Sequence, residues 1–237
     1  MAERPQSAAP EFDAWLDRFF ADFYERRPVD ATFAGIHEHD HRLPDFSPEA
    51  TEQATANAAQ LLRDLAALPE EPLTQAQLHD RALAAGQLEI EQWERASRHF
   101  QFGNPSLYTG EAIFSIMSLF HRDREPISDR AKAAIARMRA IPAFLAQGRA
   151  NVTSAPAEWT ARAIREAQAG VAYFGGGIQL LAEEFGIANL DFAKAAEVAE
   201  AGFREHLTWL ETDLSQRPNE NYAAGRDAFD LILRNAH

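Results

Sequence analysis

Apolar side chains recur at helical spacing almost from the start of the chain. Phe12, Trp15, Leu16, Phe19, Phe20, Phe23 and Tyr24 form one broad aromatic face, and Pro28 ends the helix they predict. A short helix is expected over 29–35, followed by a polar loop from Ile36 to Phe46. Ser47-Pro48 opens the next helix, with Leu61, Leu62, Leu65 and Leu68 as its apolar edge and Pro69 and Pro72 closing it. Thr74 and Gln77 have the spacing of a capping box, and the helix after them should reach about Phe100, its periodicity slipping at Gly86. Gly103-Asn104-Pro105 breaks the chain before a buried helix over 111–120. Another helix starts at Pro126 and Ser128. At Ile141-Pro142 it should kink or begin again, running on to about Val152. Pro156 opens a segment carrying Trp159, Ile164, Val171 and Phe174, interrupted at Gly175-Gly176-Gly177 by a bend or a close helix crossing. Helices over 191–214 and from about Tyr222 to Ala236 complete the pattern.

No stretch alternates long enough for a sheet, and no fixed-period repeat is visible. The fold class is all-α, a multi-helix array of about eight or nine helices with little or no strand. Residues 1–10 are read as a disordered polar tail and 11–237 as a single domain.

Composition narrows the function classes. Apolar residues make up 46% of 237, enough for a core without staples. Cysteine is absent, which removes disulfides, thiol nucleophiles and cysteine metal clusters, and suits a reducing cytoplasm. The net charge is −13. The basic pairs Arg26-Arg27 and Arg122 with Arg124 have acids beside them, so neither nucleic acid nor an anionic membrane surface is an expected partner. No apolar run is long enough to span a bilayer, and the N-terminus lacks the apolar stretch of a signal peptide.

Candidate chemistry concentrates in His37-Glu38-His39-Asp40-His41, which formally matches H-E-x-x-H. That motif works when both histidines share one face of a helix and hold zinc while the glutamate polarises a bound water. Here Gly35 precedes the tract and Pro44 follows it, with no periodic apolar run around it, so a solvated polar loop is expected. His37 and His41 are the candidate metal ligands, and adventitious metal binding suits such a tract better than a catalytic site. His39 and Asp40 are candidate substrate contacts. Tyr108, following the Asn104-Pro105 turn, is another, either walling a pocket or simply anchoring the turn. Glu38 and His41 form the sole Glu-x-x-His pair, so a carboxylate-bridged di-metal bundle fails on inventory. A nucleophile elbow and a Walker loop are both absent, and the triple glycine lacks the strand and lysine of a phosphate cradle.

Several segments together resemble the N-terminal helical part of the bacterial domain-of-unknown-function family 885. They are RRPVDATFAGIHEHDHRLPDFSPEA from Arg26, NPSLYTG from Asn104, RMRAIPAFLAQGRANVTSAPAEWTARAI from Arg137, and the closing YAAGRDAFDLILRNAH. The block Ile141-Pro142-Ala143-Phe144-Leu145, with Asn151, Pro156 and Trp159-Thr160, is the most specific part, and the likeness extends from about Phe12 to the C-terminus. The resemblance implies a zincin-like hydrolase of peptides or similar amides, mostly helical, with a deep channel between two halves and zinc as cofactor. In that family the zinc-binding H-E-x-x-H lies in the C-terminal half, beyond the matched region. No catalytic residue therefore carries over, and the zinc belongs to a half not matched here. The expected roles are a piece of a longer hydrolase, one subunit of a split enzyme that meets a catalytic partner, or a non-enzymatic ligand- or protein-binding module. A helical half of this kind should also expose apolar surface, favouring a partner chain or self-association. A small metalloenzyme using the 37–41 tract is a further alternative.

Overall fold

The computed structural model describes residues 9–121, 123 and 125–236. Met1 to Ala8, most of the expected tail, lie outside the described residues, as do Arg122 and Arg124. Among the described residues there are ten α-helices, two of them joined by a π turn into one run, and two strands of two residues each, so the protein is essentially all-α. None of these helices is long and apolar enough to cross a membrane.

The chain forms two compact units, the first made of 1–23, 48–97 and 223–237, the second of 24–47 and 98–222. In the first unit, helices α1 (Pro10–Arg26), α3 (Pro48–Ala67), α4 (Gln75–Ala96) and α10 (Arg226–Ala236) supply the structure, α1 through its residues up to Phe23. The aromatic face of α1 is its core. Phe12 and Trp15 stack at 6.0 Å and Trp15 and Phe19 at 5.6 Å, over Leu61, Leu65, Ala84 and Leu88. The polar edge of the fully buried Trp15 is satisfied, its Nε1 donating to the Leu61 carbonyl at 3.0 Å. Thr74 and Gln77 form the expected capping box, and α4 ends at Ala96, four residues before Phe100. The slip at Gly86 has a physical cause. A Cβ there would lie 2.8 Å from Asn235 of α10, so glycine lets the two helices meet.

The second unit contains α2 (Pro28–Ala34), α5 (Pro105–Phe120), α6 (Ile127–Asn151), α7 (Ala157–Ala172), α8 (Ile178–Glu184) and α9 (Leu190–Thr212). Asn104 caps α5 by accepting from the Ser106 N–H at 3.1 Å, so this helix starts six residues before the apolar run that announced it. Met138, Ile141, Phe144 and Leu145 of α6 pack with Phe192, Ala195, Ala199 and Phe203 of α9 in one core. Helix α6 continues through Pro142 without the restart that the sequence allowed. The proline ring lies against Gly202 of α9, where a Cβ would sit 3.0 Å from it. The triple glycine does not interrupt the helix either. Tyr173–Gly177 is a π-helical turn joining α7 to α8, and Gly175 passes close to the Glu200 carboxylate. Strands β1 (Ala155–Pro156) and β2 (Pro218–Asn219) pair in parallel, Ala155 opposite Pro218 and Pro156 opposite Asn219.

Candidate functional site

The tract 37–41 is a turn that follows α2. Helix α2 starts at Pro28, where the missing N–H needs no partner, and ends at Gly35, whose φ of 94° is left-handed. The Gly35 and Ile36 amides donate back to the Ala31 carbonyl at 3.0 and 2.8 Å. This reversal brings Asp40 over Thr32, whose hydroxyl donates to Asp40 Oδ1 at 2.6 Å.

Arg137 of α6 holds the turn down. It is fully buried, and its guanidinium donates to the Arg42 carbonyl (2.9 Å), the Ser115 carbonyl (2.6 Å), the Pro28 carbonyl (3.1 Å) and the Thr32 hydroxyl (2.7 Å). One side chain thus ties α2, α5 and the end of the turn to α6. Burial lowers its pKa to about 10, with Asp40 and Glu111 pulling the other way, so it stays a cation at neutral pH. Desolvation comes without a paired carboxylate contact, and the carbonyl acceptors compensate.

His37 Nδ1 lies 2.9 Å from Asp40 Oδ2 and donates to that carboxylate oxygen. His37 Nε2 is buried, has no hydrogen-bond partner and lies 3.9 Å from Glu125 Oε1. His37 and Asp40 line a small pocket with Thr32, Ser118, His121 and Arg130, with room of about 10 Å³, that of a single water. Nearby, Glu111 of α5 has its pKa pushed up to about 7 by burial first and then by Asp30, against the opposing pull of Arg137 and Arg27. The arrangement can therefore make a further hydrogen bond at His37 Nε2 and exchange a proton at Glu111 near neutrality.

Of the residues singled out from the sequence, the structure brings His37 and Asp40 together. His39 is half-buried on the turn and His41 is exposed at its end, so the H-E-x-x-H spacing does not lie on a helix. Tyr108 is placed elsewhere. It is fully buried in the second unit's core, its hydroxyl donating to the Gln101 carbonyl (2.9 Å) and accepting from Asn151 (2.9 Å), and burial raises its pKa. Among the described residues no three His, Asp or Glu side chains gather as metal ligands. The His37 Nδ1 is committed to Asp40, and Glu125 Oε1 lies 3.9 Å from Nε2. The zinc implied by the resemblance does not fit these residues.

Thr32, Glu111 and Arg137 escaped the sequence reading. Two of them left a trace: Glu111 is the one acid in the apolar run 111–120, and Arg137 shares a helical face with Ile141 and Phe144.

A solved structure from Shewanella oneidensis, described as "a putative lipoprotein of unknown function", superposes with a TM-score of 0.75 at 22% identity. The match covers 86% of this chain, which spans 38% of that protein's length. No curated protein matches the chain. A family model described as "Bacterial protein of unknown function (DUF885)" matches residues 28–237.

Proposed function

Since the chain belongs to this bacterial family, DUF885, we propose that it forms the N-terminal helical portion of a zincin-like hydrolase acting on peptides or similar amides. In this reading the second unit supplies a wall of the substrate channel, with the 37–41 turn as its polar contact. Hydrolysis then requires a zinc-bearing catalytic portion, joined in the same protein or supplied by a partner, and this chain is inactive by itself.

The observation that carries the reading is the Arg137 anchor. A solvated surface turn does not need a fully buried guanidinium with four acceptors beneath it. Such fixing suits a turn whose side chains must meet a ligand in one geometry. His37 Nε2 faces a pocket with room for one water, so its contact with a substrate runs through that water, with Asp40 as its positioning residue. The length match supports the same view, because this chain aligns with 38% of its structural neighbour.

A second reading, a non-enzymatic binding module, is favoured by one observation. Phe33, Phe114 and Met117 are all exposed, and the Phe33 ring lies 5.7 Å from Phe114 and 5.7 Å from His121. Such an apolar face is unusual on an isolated soluble domain.

The experiment is peptide hydrolysis in two settings. The chain with added zinc should be inactive. Continued into, or mixed with, a portion bearing H-E-x-x-H, it should be active, with His37→Gln and Asp40→Asn raising KM more than they lower kcat. Unchanged kinetics in both variants would remove the turn from substrate binding.

A further inference from the structure

The first unit carries a groove of a different character. It lies between α3 and α4 and is lined by Leu62, Leu65, Leu78, Ala82 and Ala85, with a volume of about 290 Å³. One cation enters this apolar lining, Arg81, together with its neighbour Glu70. Arg81 Nε lies 3.3 Å from Glu70 Oε1, yet Arg81 Nη1 is buried and has no hydrogen-bond partner. The Arg81 side chain is 15% exposed, whereas that of Glu70 is 66% exposed.

We propose that this groove binds an amphipathic monocarboxylate, its carboxylate on the Arg81 guanidinium and its apolar tail along Leu62, Leu65 and Leu78. Three physical points lead there. Buried donors are nearly always paired, so the orphaned Nη1 shows that the Arg81 guanidinium is not saturated by its neighbours. A guanidinium is built for a planar two-oxygen acceptor, and Glu70 reaches it through a single oxygen while standing mostly in water. A groove of about 290 Å³ has room for a short alkyl tail. An incoming carboxylate displaces Glu70 from Arg81, and the leucines take up the tail. The groove belongs to the first unit and the 37–41 turn to the second, and the proposal does not depend on the function proposed for that turn.

A medium-chain fatty acid and the apolar C-terminal residue of a peptide share this chemistry. Octanoate and an acetylated dipeptide ending in leucine are therefore the two probes, and the tighter binder identifies the source. Titration calorimetry on the full chain should give saturable binding of one of them, at least about tenfold tighter than 1-octanol, which lacks the carboxylate. Arg81→Gln should abolish that preference. Ala82→Phe, at an exposed position on the groove wall, should block octanol and acid alike without disturbing the fold. Glu70→Gln should tighten the acid, because a competing carboxylate is gone. Equal affinity for octanoate, dipeptide and octanol, no saturable binding, or binding unchanged by Ala82→Phe would overturn the proposal.

Discussion

Two groups in the second unit, His206 fully buried and Glu111 partly buried, should give this protein a concealed pH dependence. His206 of α9 is fully buried, 5.1 Å from Trp209, and neither ring nitrogen makes a hydrogen bond of ordinary geometry, although the Leu145 carbonyl is near enough to temper the effect. Burial, and then Arg149, pushes its pKa down from 6.5 to about 3. Between those values the unfolded chain holds more protons than the folded one, so acidification destabilises. The loss begins below about pH 6.5 and is complete below about pH 3. From pH 7 to pH 5 it comes to about 2 kcal/mol. Glu111 acts in the opposite sense. Its pKa is raised from 4.5 to about 7, so the folded chain holds the extra proton. Its stabilisation is fully present below about pH 4.5 and lost as pH rises through about 7, which gives about 2 kcal/mol in the other direction over the same interval. The wild-type protein should therefore show little net change from these two groups. His206→Leu should gain about 2 kcal/mol on going from pH 7 to pH 5, and Glu111→Gln should lose about as much. Urea unfolding at the two pH values reads both, through the midpoint at constant slope. If His206→Leu keeps the wild-type pH response, His206 is not held neutral and the reasoning fails.

Other consequences are more local. Gly170→Ala would place a Cβ 2.4 Å from the Phe203 ring, and this overpacking should cost about 1–3 kcal/mol, seen as a lowered Tm. Arg137→Met would remove the shared donor that ties α2, α5 and the turn to α6, leaving the Arg42 carbonyl without it while Ser115 keeps Ser118 and Pro28 keeps Thr32, so a loss of about 1–3 kcal/mol and faster proteolytic cleavage within 36–46 are expected. Thr74→Ala removes one half of the α4 capping box and should cost about 1 kcal/mol by thermal unfolding.

The helical class was legible because its signals are local. The aromatic stripe of α1 and the Thr74–Gln77 cap lie within one or two turns of sequence, and both are present, although Phe20 of the stripe is exposed. What stayed hidden depends on which helices meet. Pro142 looks like a break from its own segment, but α6 continues because the ring finds space against Gly202, sixty residues later in the chain. Gly86 looks like a lapse in periodicity until α10 arrives at Asn235. The triple glycine reads as an interruption, yet it is absorbed as one π turn within a continuing helix. The site divides in the same way. The loop character of 36–46 and the His37–Asp40 pairing lie within a few residues, whereas Arg137 reaches the turn from 95 residues away and the Pro28 carbonyl from 109. A cation on an apolar helix face was the available clue to it, as was the lone acid Glu111 at the head of the α5 apolar run. Tyr108 shows the converse: an aromatic beside an Asn-Pro turn suggested a pocket wall, and it is a core residue with a saturated hydroxyl.

The central claim is that this chain provides a scaffold and a polar contact but no zinc chemistry of its own. Zinc content and peptide hydrolysis measured together on the purified chain, after dialysis against buffered zinc and then zinc-free buffer, test it most directly. The account predicts far less than one retained zinc per chain and no zinc-dependent hydrolysis. About one tightly held zinc, with hydrolysis that disappears together with the metal in His37→Ala or His41→Ala, would contradict it and make the 37–41 turn a catalytic centre in its own right.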